Sequence, residues 1–213
     1  MAKKELFRGS WNIALAPEGV EDAIRVGKAT KGAWDTIYHS DLGRTTRTAK
    51  CVRQFSPDSE LIPTSKLRPM HLGVIEGKEV NTERIRAMNK ILRDTPDKAL
   101  PGISSKSDEP GESLNSFKKR VLTFLNKVEK ELDPNGRVLL VTHYRDIQLV
   151  KSYLAVDEPK DLSIDVEMLL SHGSQQPGDL FWFDLKNRTL DAVEGAKKKG
   201  LYLMRHGKTA ANA

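Results

Sequence analysis

Three short polar clusters in the 213-residue chain hold residue types suited to phosphate chemistry. Arg205-His206-Gly207 follows the apolar run Leu201-Tyr202-Leu203-Met204. Ser40-Asp41-Leu42-Gly43-Arg44 follows Thr36-Ile37-Tyr38, and Thr142-His143 closes the run Val138-Leu139-Leu140-Val141. Cleaving a phosphate monoester through a covalent enzyme needs a nucleophile that is unprotonated near neutral pH. It also needs cations that neutralise the equatorial oxygens as charge spreads, and an acid for the leaving oxygen. Histidine suits the first task, with an unperturbed pKa of about 6.5. Arginine suits the second, because its planar fork binds two phosphate oxygens and stays charged. Gly207, beside His206, lets backbone approach a ligand closely.

The elements that must carry these clusters alternate between strands and helices. Pro17-Glu18-Gly19 opens a helix running through Thr30, with Val20, Ala23, Ile24 and Gly27 on one side. Thr36–Tyr38 reads as a short buried strand and 44–54 as a helix. The clearest helix spans Gly111 to Leu132, where Leu114, Phe117, Val121, Leu125, Val128 and Leu132 recur at three- and four-residue steps; Asp133-Pro134-Asn135-Gly136 ends it. Val138–Val141 is continuously apolar, as expected of a strand covered on both faces. Tyr144 and Arg145 are read as beginning the next helix, with lining of the pocket as the other reading. Leu180–Leu185 and Arg188–Val193 form two strands joined by a turn at Lys186-Asn187. Residues 194–200, small and polar, read as a linker, and Leu201–Met204 is another strand. The expected fold is one α/β domain over 1–213: a three-layer α/β/α sandwich with a mainly parallel sheet. Ligands bind at the carboxyl ends of strands in such sheets, so the three clusters would converge on one edge.

Composition narrows the partners. With 38% hydrophobic and 30% charged residues, the chain is globular rather than disordered. It has no unbroken apolar run of about eighteen residues for a membrane span, and no apolar stretch follows the basic N-terminus as in a secretory signal. A cytoplasmic setting without membrane association is expected. Cys51 is the single cysteine, so no intrachain disulfide can form. The net charge of +6 attracts anions, and Lys197, Lys198 and Lys199 supply half of it. No recognition motif accompanies the charge, so the expected partner is a phosphorylated small molecule rather than nucleic acid. No metal-ligand spacing occurs among the five histidines and the cysteine, and no cofactor is expected. Gly207-Lys208-Thr209 matches the tail of a P-loop, but Tyr202 stands where that motif needs its first glycine.

Five strings, three of which hold these clusters, share a common context. Leu203-Met204-Arg205-His206-Gly207-Lys208-Thr209, with Asn212 after it, resembles the strand-plus-RHGxT motif of the histidine phosphatases of the phosphoglycerate-mutase-like superfamily. Ser40 to Arg44 with Thr48-Ala49 resembles that family's SxLxRxxxTA segment. Pro110-Gly111-Glu112-Ser113 resembles its PxGES helix start, and Val141-Thr142-His143 the strand carrying its second catalytic histidine. Phe7-Arg8-Gly9, with Leu15 and Gly19, is similar to its FxGxxDxxLxxxG stretch. The resemblance spans nearly the whole chain, but the order differs: the family begins with RHG, which here comes after the other motifs. Moving 201–213 to the front restores the family order, so the chain reads as a circular permutation in which 194–200 joins the usual termini.

The resemblance implies roles. His206 would attack phosphorus, Arg205 and Arg44 would clamp the oxygens, and His143 would steady the phosphoryl group. Ser40, Thr209, Asn212 and Gly207 would make secondary contacts. Arg47, one turn after Arg44, is the rival for the inward position. The family's acid is a Glu in an LxExxxGxxEG motif; here the segment runs Leu67-Arg68-Pro69, and Pro69 cannot donate a proton. Glu112 is the first choice of acid, with a helix-starting role as its competing reading. His71, Glu76 or no acid are the others, and Glu76 reads as a surface residue. The implied activity is metal-independent phosphoric-monoester hydrolysis. A mutase, or a phosphate-binding protein with little turnover, is the alternative.

Overall fold

The structure is a computed structural model and describes residues 6–101, 110–156, 162–171 and 175–209. Asn212 and His172 lie outside the described residues. In chain order the elements are α1 (Pro17–Ala29), β1 (Thr36–Ser40), α2 (Gly43–Arg53), β2 (Glu60–Thr64), α3 (Thr82–Asp94) and α4 (Leu114–Glu131). These are followed by β3 (Arg137–Thr142), α5 (Tyr144–Leu154), α6 (Val166–Leu170), β4 (Leu180–Asp184), β5 (Thr189–Val193) and β6 (Gly200–Arg205). Short 3-10 turns cover Ser65–Leu67 and Gly73–Ile75.

Among the described residues, six strands form one sheet in the order β2-β1-β3-β6-β4-β5. The first four run parallel, while β4 is antiparallel to both its neighbours. Side chains alternate across a strand, which explains the unbroken apolar runs. Leu139, Val141, Tyr202 and Met204 pack with Val26, Ala49 and Val52 of α1 and α2. Val138, Leu140, Leu201 and Leu203 pack on the other face with Phe117, Val121 and Leu125 of α4. Both faces are covered, and the three-layer expectation holds.

Local chemistry sets the ends of the elements. Pro17 occupies the first turn of α1, where its missing N–H has no helical partner to lose. The Ser113 side chain accepts from the Ser116 N–H, so α4 starts three residues later than its pattern suggested. The helix after His143 begins at Tyr144, as expected. Gly200 opens β6 and pairs with Arg137, which shortens the expected linker to 194–199. β2, α3 and α6 go beyond the sequence-based expectation. β2 carries Pro63 and lies at the sheet edge, where a missing N–H is tolerated.

Candidate active site

The carboxyl ends of β1, β3 and β6 lie side by side, because Val141 pairs with Met204 and with His39. Strand register thus brings His143, His206 and the start of α2 to one edge. A cavity of about 450 Å³ opens there, with Arg8, Arg44, His143, Arg205 and His206 in its floor. The two imidazoles meet edge to face, their centroids 5.1 Å apart.

Hydrogen bonds fix opposite tautomers on the two rings. His206 Nδ1 is 2.6 Å from the Gly207 carbonyl oxygen, which only accepts. Nδ1 therefore carries the proton, and Nε2 keeps its lone pair. Arg44 Nε–H donates to His143 Nδ1 at 3.3 Å. There the ring accepts, so the proton sits on Nε2, a buried atom without a hydrogen-bond partner among the described residues. One ring offers a nucleophile and the other a donor. Burial, helped by Arg44 and Arg205, pushes the His206 pKa down to about 3, although its bond to Gly207 raises it. Burial and the Arg44 charge hold His143 well below its usual value as well. Both rings are neutral at neutral pH.

The cations are fixed by carbonyls. Arg44 donates to Trp11 O (2.5 Å) and Gly9 O (3.1 Å). Arg205 donates to Gln175 O at 2.6 Å and stacks over Tyr144, its guanidinium carbon 5.3 Å from the ring centroid. Burial and the nearby Arg8 lower the Arg44 pKa to about 10, which still leaves it charged. Arg47 is exposed, so Arg44 is the inward residue of the pair.

Glu76 corrects the surface expectation: it is 5% exposed. Its carboxylate accepts from Ser10 N–H (2.9 Å), Ser10 Oγ (2.8 Å) and Leu72 N–H (2.8 Å). Those bonds hold the turn whose Gly9 and Trp11 carbonyls orient Arg44.

The other expected site residues are not part of the cavity wall. Glu112 forms a bidentate pair with Arg120, both contacts at 2.8 Å, which occupies its two oxygens. Ser40 is fully buried; its carbonyl accepts from Thr45 Oγ1 at 2.7 Å, a bond that shapes the β1–α2 turn. Thr209 accepts from Arg8 Nη1 at 2.9 Å and bridges to Leu15. Gly207 is backed against Gly19, and a Cβ on either would overlap the other segment's backbone. Pro69 does line the cavity. His71 Nδ1 faces the Pro110 carbonyl at 3.1 Å, outside the wall. Sequence reasoning singled out neither Arg8 nor Gln175 as site residues. Arg8 had a signal, since it lies inside the Phe7-Arg8-Gly9 string; Gln175 sits in a loop without pattern.

The chain belongs to the histidine phosphatase superfamily (branch 1), whose sequence profile matches residues 1–168. It is similar to a probable phosphoglycerate mutase, GpmB, of Proteus mirabilis (strain HI4320): 31% identity over 147 residues, covering 62% of this chain and 64% of that protein. The GpmB of Salmonella paratyphi C (strain RKS4594) is 30% identical over 141 residues, 64% of this chain and 61% of that one. The chain thus spans about three fifths of the length of these curated relatives. Among solved structures, the alpha-ribazole phosphatase of Shigella flexneri superposes with a TM-score of 0.64 at 17% identity over 92% of both chains, a likeness of fold alone. TTHB049 of Thermus thermophilus gives 0.52 at 26% identity, over 72% of this chain and 78% of that one. Among the described residues, no helix is long and apolar enough to cross a membrane.

Proposed function

We infer that the protein hydrolyses phosphoric monoesters through a phosphohistidine on His206. The carrying observation is the pair of opposed tautomers, a lone pair on His206 Nε2 beside a proton on His143 Nε2. The His206 Nε2 lone pair attacks phosphorus and the bond to the leaving oxygen breaks. That oxygen departs as the alkoxide or phenoxide and takes its proton from water. Arg44 and Arg205 neutralise the equatorial oxygens, and His143 Nε2–H donates to one of them. Water then attacks the phosphohistidine, the P–N bond breaks, and inorganic phosphate leaves with His206 neutral again. Glu112 is engaged by Arg120, so the reading fits substrates whose leaving oxygen departs with little help from an acid.

The domain is read as 1–213, permuted relative to its family. Two observations support this. The family profile stops at residue 168, short of the His206 strand. That strand, β6, nevertheless fills the place between β3 and β4, and Ala16 N–H closes onto the Lys208 carbonyl at 2.9 Å.

Turnover of p-nitrophenyl phosphate by wild type and by His206→Ala, with no metal added, tests the chemistry. Activity in the wild type that falls by at least about a thousandfold in the variant is expected, with phosphate trapped on the wild-type protein in acid quench. Activity that survives the substitution would reject His206 as nucleophile. The relatives' name motivates a mutase as the second reading. It predicts interconversion of phosphoglycerates without release of inorganic phosphate.

A further inference from the structure

The cavity over His206 has two unlike walls. The floor is imidazole and guanidinium, suited to a phosphoryl group. The cavity lining also includes hydrocarbon from four segments: Leu6, Val80, Ile85 with Met88, and Leu170. Ile85 and Met88 stand three apart on α3, hence on one face of it. Arg93 of α3 pairs in bidentate fashion with Glu167 of α6 (2.6 and 3.0 Å), so two of these segments are tied together. Asn89 of α3 and Ser171 just after α6, both uncharged, line the cavity as well. The lining cation nearest α6 is Arg145, whose Nη1 donates to the Leu169 carbonyl at 2.8 Å.

We propose that the site takes phosphomonoesters whose alcohol is an uncharged, apolar body about one or two rings in size, seated against Ile85, Met88, Val80 and Leu170. Three observations lead there. The apolar wall is continuous with the phosphate floor, so one molecule reaches both. The cavity volume of about 450 Å³ lies in the range of small-molecule sites. A second anionic group on the substrate would lose hydration against hydrocarbon. This inference rests on the phosphatase reading only for the identity of the phosphoryl pole.

Calorimetric titration of the wild type with three phosphonates tests it without turnover. 1-Naphthylmethylphosphonate should bind at least about tenfold tighter than methylphosphonate, a modest return for a ring system removed from water. Ile85→Asn should shrink that ratio to within about threefold, because it puts an amide in the apolar wall. Phosphonoacetate probes whether Arg145 takes a second anion, and it should bind no tighter than methylphosphonate. Equal affinities for the naphthyl and methyl compounds, or phosphonoacetate as the tightest of the three, would overturn the proposal. The wild-type ratio needs no variant to fold. If the affinity order holds but His206→Ala still turns over p-nitrophenyl phosphate, the phosphohistidine reading fails and the apolar subsite stands.

Discussion

Arg44 and Arg120 are both drawn largely out of water, and they are satisfied in opposite ways. Arg44 bonds to neutral acceptors: two carbonyls and the ring of His143. Arg120 meets Glu112 in a bidentate pair and adds the carbonyls of Lys66 and Arg68 at 2.8 and 2.9 Å. A guanidinium oriented by carbonyls keeps its charge for an incoming anion. One oriented by a carboxylate is already neutralised, and what it contributes is the position of the backbone it grips. Burial alone does not separate a binding arginine from a structural one; the charge of its partner does.

The largest expected effects split the two. Arg44→Ala should lower kcat/KM for p-nitrophenyl phosphate by about a thousandfold and change Tm little. Arg120→Ala should do the reverse, costing about 3 kcal/mol in denaturant unfolding because Glu112 loses its partner next to buried Asp146. Its activity per folded molecule should stay within about fivefold of wild type. A folded, inactive Arg120→Ala protein would place that cluster in the catalytic machinery and erase the distinction.

Glu76→Gln sharpens the comparison from the carbonyl side. The amide cannot accept all three bonds that the carboxylate takes, so the Gly9–Trp11 turn should loosen around Arg44. A drop of about tenfold in kcat/KM, shared between kcat and KM, is expected, with about 2 kcal/mol of lost stability. An unchanged kcat/KM in a destabilised protein would reduce Glu76 to a structural role.

The last test concerns pH. Burial pushes the Asp146 pKa up to about 8, against the lowering influence of Arg120 and the Thr142 hydroxyl. The folded state therefore binds this proton more tightly than the unfolded chain, where a carboxyl titrates near 4. Its contribution to stability is full below about pH 4 and is lost as pH rises towards 8. His206 has the opposite sign. Its lowered pKa means stability present above about 6.5 and lost as pH falls towards 3. Asp146→Asn should flatten the fall in Tm between pH 5 and pH 9 and leave the acid limb in place. An alkaline slope equal to wild type would show that Asp146 is ionised in the fold.

Where one chemical signal sufficed, the sequence was legible. The apolar runs at Val138 and Leu201 read as central strands because both faces of the sheet are covered. Residues 111–132 read as a helix because one face is, although the structure starts it at Leu114. α3 was harder: its outward face is densely charged, and its few apolar side chains are shared between the core, which takes Leu92 and Met88, and the cavity, which Ile85 and Met88 line. That His206, Arg44 and His143 would meet at one cavity was legible, because they end strands or start helices in recognisable strings. It was not legible at Glu76 or Glu112, since a carboxylate's role depends on its partners. Ser10 and Leu72 reach Glu76 across the fold, and Arg120 reaches Glu112 from two turns along α4, a geometry that follows only once the helix start is fixed.

The strand that leads into His206 follows the other five described strands in chain order, yet it sits between two of them. A ribosome therefore releases β3 and β4 before their shared neighbour exists. Until residues 200–205 emerge, each presents an unpaired edge on the inner side of the sheet, which is a template for wrong pairing. The nascent chain can consolidate α1, α2 and the β1–β2–β3 portion early, but the sheet closes in one late insertion. The residue pairing of Leu15 with Thr209 spans most of the chain, and closures over such separations are slow. For this molecule His206 arrives with the strand that completes this sheet, so a chain made only as far as β5 has neither the closed sheet nor the proposed nucleophile.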